Sequence, residues 1–328
     1  MSGVFDNYNH SKEIGGYFEL EIKKNGDFLH SNALKLNSAR NCFKYILVSK
    51  KPTKIYIPAY ICNSMLQPLK DCDIEYQFYN IDEKFEITND LSFEKNDFLL
   101  YVNYFGLKSD FCKFIADKYG TNLIIDNSQA FFEKPIKNID TIYSPRKFFG
   151  VSDGGYLYTD STINQKLDVD FSYDHISHLI GRIEKSASKF YNDFRISEEC
   201  LSNRPIRFMS KFTSLILENI DYEKAKLKRE RNFLFLHNYL KVSNLLDINI
   251  HSINGPMVYP YLTKNKNLRD ELIKMKIYVA KYWEEVEQRP NVDLFEKDLV
   301  DKLVPLPIDQ RYNLDDMYSI IRAIKHVK

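Results

Sequence analysis

The 328-residue sequence has little that would tie it to a membrane, a metal or a nucleic acid. No apolar run approaches the ~18–20 residues of a membrane-spanning helix. Basic and acidic residues nearly cancel, 46 against 45, for a formal net charge of +1, so no nucleic-acid partner is indicated. The five cysteines (Cys42, Cys62, Cys72, Cys112, Cys200) are odd in number and lack metal-ligand spacing, which favours reduced structural thiols. His175 and His178 stand three apart, but no carboxylate or cysteine completes a metal set around them. The N-terminus, MSGVFDNYNHSKE, lacks the basic and apolar stretches of a signal peptide. Internal repeats, low-complexity tracts and long linkers are missing too. The chain therefore reads as a cytoplasmic globular protein, long enough for two lobes.

What is present concentrates between Leu123 and Thr159. Leu123-Ile124-Ile125 reads as a short buried strand, with Asp126 at its end and Gln129 three residues on. In an open α/β sheet, ligands bind at the carboxyl ends of strands. Next come Ser144-Pro145-Arg146-Lys147, then Phe148-Phe149-Gly150, the turn Asp153-Gly154-Gly155 and a strand at Tyr156–Thr159. Each residue alone has a plain reading: a turn or cap for Asp126, a solvated charge for Lys147, a hairpin for Asp-Gly-Gly. Together, a strand-end acid and a lysine in a glycine-flanked loop suggest pyridoxal phosphate (PLP). That cofactor needs a lysine to hold it covalently and an acid for its pyridinium nitrogen.

The arrangement resembles the DegT/DnrJ/EryC1/StrS family of PLP-dependent sugar aminotransferases, which have the fold-type I architecture. Asp126 with Gln129 matches that family's acid–glutamine pair after an apolar strand. Lys147 stands at the family's step before Asp153-Gly154-Gly155. Ser152 replaces the first glycine of the turn, and Ile142 stands where the family has a serine five residues before the lysine. Ser144 resembles the phosphate-binding serine of the wider fold.

Earlier in the chain, Gly15-Gly16 and Tyr17–Ile22 resemble the family's N-terminal segment. Ser38-Ala39-Arg40 precedes an apolar-periodic run and stands where the family has a Ser-Gly-Thr helix start that cradles the cofactor phosphate. A simple capped helix explains the same residues. Lys54–Pro58 reads as a strand closed by proline. Tyr60 follows as a candidate ring to stack on the cofactor, although the family's aromatic position falls nearer Cys62. A core role for Tyr60 is equally open. Leu99–Val102 is a strand leading to Asn103-Tyr104-Phe105-Gly106, which matches a family strand-end segment, and Phe111–Tyr119 a helix. Strand, helix, strand at this pitch implies a mostly parallel sheet.

After Thr159 the likeness weakens. Residues 165–200 read as helical, with Phe171, His175, His178, Ile183 and Phe190 on one possible face. Arg207-Phe208-Met209-Ser210, with Asn203 nearby, is the nearest counterpart of a family segment that reaches the neighbouring subunit. Tyr222–Leu240 reads as a helix whose basic run, KAKLKRERNF, is expected to be solvated. A helix over 267–276 and Leu306-Pro307-Ile308-Asp309-Gln310 before a last helix complete the chain.

The expected architecture is thus α/β, with a large PLP-binding domain over 1–245 that includes an N-terminal segment 1–30 and a helical section 160–245. A small C-terminal α+β domain follows over 246–328. The resemblance implies Lys147 as the catalytic lysine, and Ser38, Ala39, Arg40, Tyr60, Asn103, Asp126, Gln129, Ser144 and Lys147 around PLP. It implies glutamate as amino donor, a nucleotide-linked keto-sugar as acceptor, and a homodimer. A lyase or dehydrase on the same fold, or a cofactor-binding protein without activity, are the other readings; family dehydrases carry histidine in place of the lysine.

Overall fold

The computed structural model describes residues 15–23 and 26–327. The chain runs through β1 (Leu34–Leu36), α1 (Ala39–Lys50), β2 (Lys54–Pro58), α2 (Leu66–Asp71), β3 (Glu75–Tyr79), β4 (Asp97–Val102), α3 (Ser109–Tyr119), β5 (Leu123–Asp126), β6 (Asp140–Tyr143) and β7 (Gly155–Tyr158). These strands make one sheet in the order β1-β7-β6-β5-β4-β2-β3. Strands β6, β5, β4, β2 and β3 are parallel, while β7 lies antiparallel between β6 and β1. Both β4 and β5 are buried at every position. A strand covered on both faces has no solvent side to alternate with, which is why Phe98-Leu99-Leu100 and Leu123-Ile124-Ile125 are unbroken apolar runs. At the sheet edge β3 alternates between exposed and half-buried residues until Tyr79.

Beyond the sheet come α4 (Ser177–Glu184), α5 (Tyr191–Cys200), α6 (Lys211–Glu218), α7 (Tyr222–Leu240), β8 (Tyr259–Leu262), α8 (Leu268–Lys274), α9 (Leu294–Lys302), β9 (Leu303–Leu306) and α10 (Leu314–Val327). Among the described residues no helix is long and apolar enough to cross a membrane. The expected helical face over 165–200 is corrected to two short helices joined by a loop. Gly181 lets the Phe190 ring lie against α4, where any Cβ would sit 2.4 Å from it, so the chain doubles back. Ser186 and Ser188 bond each other at 3.2 Å in the loop, as serines do when they compete with helix. The solvated reading of the basic run on α7 needs one correction as well. Arg229 is buried, because it shares the stripe of Tyr222, Ala225, Phe233, Leu236 and Leu240 that faces inward.

Apolar packing crosses residue 245 in both directions. Phe233, Leu236 and Leu240 join a second core with Tyr259, Tyr261, Leu272, Leu306, Met317 and Ile321. Val286, Val292, Leu299 and Val300 instead belong to the core of the large sheet. At that junction α9 starts with a capping box, in which Glu296 Oε2 accepts from the Asp293 N–H at 3.2 Å. Glu296 is fully buried, and among the described residues neither its Oε1 nor the nearby Tyr60 hydroxyl has a hydrogen-bond partner.

Burial is the main cause that pushes the Glu296 carboxyl up, from 4.5 to about 7. The folded state therefore holds this proton more tightly than the unfolded chain does. Its contribution to stability is complete below pH 4.5 and is lost as pH rises through about 7. Glu296→Gln cannot titrate. The stability of wild type relative to this variant is expected to fall by up to about 3 kcal/mol between pH 4.5 and 8. Urea melts at the two pH values measure it, and parallel pH profiles would contradict it.

Candidate active site

Strands β5 and β6 are parallel neighbours, with Asp126 opposite Ile142, so their carboxyl ends open on one rim of the sheet. Asp126 closes β5. Its carboxylate is buried, and Oδ1 accepts from the Ser128 N–H at 2.8 Å. After burial itself, the Asp126 charge is the strongest influence raising the thiol of Cys42 on α1. Asn103, at the end of β4, is committed to structure. Its Nδ2 donates to Ser109 Oγ and Asn127 Oδ1, each at 3.1 Å, while Oδ1 accepts from the Lys108 N–H at 2.9 Å. Gln129 is buried with Oε1 accepting from the Phe105 N–H at 2.8 Å. Its amide nitrogen has no hydrogen-bond partner among the described residues.

The helix start expected at Ser38-Ala39-Arg40 is there. Ser38 is the N-cap of α1, extended at φ −163° and ψ 158°, and its hydroxyl accepts from the Asn41 N–H at 3.0 Å. Ala39 and Arg40 are the first two helical residues. The Asp153-Gly154-Gly155 turn presses against this end: the Gly154 N–H donates to the Asn37 carbonyl at 2.8 Å. Both glycines are needed. Gly154 sits at φ +115°, and a Cβ on Gly155 would be 2.5 Å from the Ser38 carbonyl carbon.

Asp153 has a role that its spacing does not disclose. Its carboxylate accepts from the Ser210 N–H and the Ser210 hydroxyl, both at 2.8 Å, and from the Thr213 hydroxyl, so it ties the turn to the start of α6. A comparable tie holds the other side of α1. Buried Asp170 accepts from Asn37 Nδ2 at 2.8 Å and pairs with Arg204 at 3.1 Å and Arg207 at 3.2 Å. Only the short polar side chains of Asn37 and Asn41 in the sequence signal this, and they do so weakly.

Ser144 is buried one residue beyond β6, and its carbonyl accepts from the Lys147 N–H at 3.3 Å. Arg146 turns inward to Glu198 of α5; burial brings its guanidinium down to about 10, against the pull of Asp153. Lys147 turns the other way and is exposed, and its amino group has no hydrogen bond or ion pair among the described residues. A PLP group fits this set: a free amine, a buried strand-end carboxylate, and a capped helix terminus whose N–H groups suit a phosphate.

Three of the expected residues lie elsewhere than the resemblance implies. Tyr60 has no exposed surface; its ring meets Trp283 edge-on at 4.6 Å and stacks with Tyr104 at 6.0 Å. It is a core residue, whereas Cys62, two residues on, is half-buried. The Arg40 guanidinium leaves the α1 terminus and donates to the carbonyls of Ser64 and Leu201, both at 3.2 Å. Together with Asn203 it lines a cavity of about 270 Å³ that also touches Lys44, Asp71 and Arg204. Arg207 is spent on Asp170 of its own chain.

The architecture is that of the fold-type I aminotransferases, a parallel-centred seven-stranded sheet with a second, two-stranded sheet beside it. Among solved structures, a DegT DnrJ EryC1 StrS aminotransferase from Brucella abortus superimposes with a TM-score of 0.61 at 15% identity, over 90% of this chain and 85% of that one. PseC of Helicobacter pylori, an aminotransferase involved in the biosynthesis of pseudoaminic acid, gives 0.60 at 14% identity, over 90% and 86%. NtdA of Bacillus subtilis, solved with its cofactor PMP bound, gives 0.63 at 15% identity, over 90% and 73%. At such identities the likeness establishes the fold. No protein-family model matches the sequence, and no curated protein does.

Proposed function

We propose that the protein is a PLP-dependent aminotransferase of the DegT/DnrJ/EryC1/StrS type. It would move an amino group from glutamate to a nucleotide-linked keto-sugar, in the cytoplasm, for surface polysaccharide (O-antigen or capsule) synthesis. The observation that carries this is the placement of Lys147, whose amine has no partner among the described residues, in the loop after β6, beside the strand β5 that ends at the buried Asp126 carboxylate. The fold shared with an aminotransferase involved in pseudoaminic acid biosynthesis supports the substrate class, and the fold shared with NtdA, solved with PMP, supports the cofactor.

Bound here, the cofactor would supply an electron sink for the Cα–H bond of the amino donor. Lys147 would hold it and then carry the proton to and from the donor's Cα. Asp126 would keep the pyridine nitrogen protonated, and the Gln129 amide, already fixed through Phe105, would donate to the ring oxygen. The N–H groups at Ser38–Arg40 would take the phosphate, with Ser144 close by on the lysine loop.

With PLP added, the protein is expected to absorb in the near-visible, and borohydride to fix the cofactor to the peptide containing Lys147. Glutamate should convert the bound cofactor to its pyridoxamine form. Label on another lysine, or no uptake, would refute the assignment.

The proposed homodimer rests on a band of exposed apolar side chains over the helical section: Phe171, Tyr173, Ile180, Ile183, Tyr191 and Ile196. Surface of that kind is what a two-fold partner covers. Sedimentation equilibrium is expected to find two copies; a monomer with full activity would count against it.

A further inference from the structure

The residue after Lys147 is held by two side chains from distant parts of the chain. Arg229 Nη2, from α7, donates to the Phe148 carbonyl at 3.2 Å, and Gln310 Nε2, from the segment after β9, donates to the same oxygen at 2.8 Å. The two holders also bind each other, Arg229 Nε donating to Gln310 Oε1 at 3.0 Å. Nη1 of Arg229 reaches the carbonyls of Pro256 at 3.2 Å and Met257 at 3.1 Å, and the guanidinium lies 4.5 Å over the Phe148 ring. From Met257 the connection continues inward. Its N–H donates to the Phe105 carbonyl at 3.0 Å, and the Phe105 N–H donates to Gln129 Oε1 at 2.8 Å. One buried cation therefore ties the lysine loop to the glutamine loop.

Arg229 makes no ion pair among the described residues; backbone carbonyls and the Gln310 amide oxygen take its donors. A buried charge is an expensive way to gain stability, since apolar residues of similar volume often serve as well or better. What the planar guanidinium adds is geometry, because its fork of N–H groups sets several carbonyls at fixed distances and angles.

We propose that Arg229, with Gln310, is a positioning residue that fixes the Lys147 loop against Gln129, and so sets where the Lys147 amine meets the cofactor. This rests on the aminotransferase reading. It also makes the C-terminal lobe, through Gln310, part of what orients the lysine.

Gln310→Leu, at a half-buried position, removes the donor to the Phe148 carbonyl and the acceptor of Arg229 Nε, and keeps the Arg229 side chain itself. Two quantities decide. The first is hydrogen exchange of the amides of Lys147, Phe148 and Phe149 in protein without cofactor, compared with α10. The second is the rate at which added PLP becomes borohydride-fixed at Lys147. Exchange in the loop is expected to rise at least about tenfold with α10 unchanged, and fixation to slow by about tenfold. Arg229→Met should act in the same direction and further; if it does not fold, Gln310→Leu decides alone. Unchanged loop exchange with fixation within twofold of wild type would overturn the proposal. So would loss of protection in α10 and the loop alike, which would assign the pair to stability only. If wild-type protein takes up no PLP, the aminotransferase reading fails, while loop exchange still judges the clamp.

Discussion

Lys147→Ala is expected to leave the fold intact and abolish covalent attachment of the cofactor. Its side chain is exposed and has no partner among the described residues, so the melting transition should move by no more than a surface substitution does, within about 0.5 kcal/mol. The chemistry should behave differently. A positioned proton carrier contributes typically about 10²–10⁴-fold, and the variant also loses the group that holds the cofactor in place. Glutamate-driven conversion of added PLP to its pyridoxamine form should slow by at least about a thousandfold in single-turnover experiments. Lys147→Arg keeps the charge without a transferable amine and should fare no better. A rate within tenfold of wild type in either variant would remove Lys147 from the mechanism.

The second large effect belongs to Asp126, where structural and chemical roles need to be separated. Asp126→Ala would lose the acceptor for the Ser128 N–H as well as the charge. Asp126→Asn keeps a carbonyl oxygen for that N–H and changes only the charge, so its melting temperature should stay close to wild type. Removing one member of a buried charge pair costs about 3–5 kcal/mol. Converted wholly into barrier, about 4 kcal/mol is nearly a thousandfold in rate. The asparagine variant should therefore bind the cofactor yet turn over glutamate about a thousandfold more slowly. A loss smaller than tenfold would mean that Asp126 serves only as the turn acceptor seen at Ser128.

The sequence marks its own elements best where local chemistry sets both ends. Pro58 stops β2 where expected, and the Asp221 cap with the apolar stripe bounds α7 at Tyr222 and Leu240. The strand ending at Asp126 is legible because a doubly covered strand must be continuously apolar. By contrast β6, β9 and β1 have three or four residues each, too few for a period to show.

The long-range polar ties were illegible for a different reason. Asp153 meets Ser210, Asp170 meets Asn37, and Arg229 meets Phe148 across stretches that no spacing rule connects. Arg229 is hidden among four other basic residues over Lys224–Arg231 (Lys224, Lys226, Lys228 and Arg231), where charge alone predicts solvent. Tyr60 illustrates the limit of a motif: the turn is in place, but Trp283, far along the chain, covers the ring.

The interlocking of the two cores also bears on how the protein is made. The flank of the large sheet is completed by Val286, Val292, Leu299 and Val300, and it is pinned there by the Asn80 amide donating to the Asn291 carbonyl at 2.7 Å and by Glu285 on the Asn63 N–H at 2.9 Å. Those partners leave the ribosome about two hundred residues after the strands they cover, some ten to forty seconds later at ordinary elongation rates of about 5–20 residues per second. For that interval the β2–β3 side of the nascent sheet has its apolar face uncovered. The large core of this chain is therefore complete only once residues 286–300 have been translated.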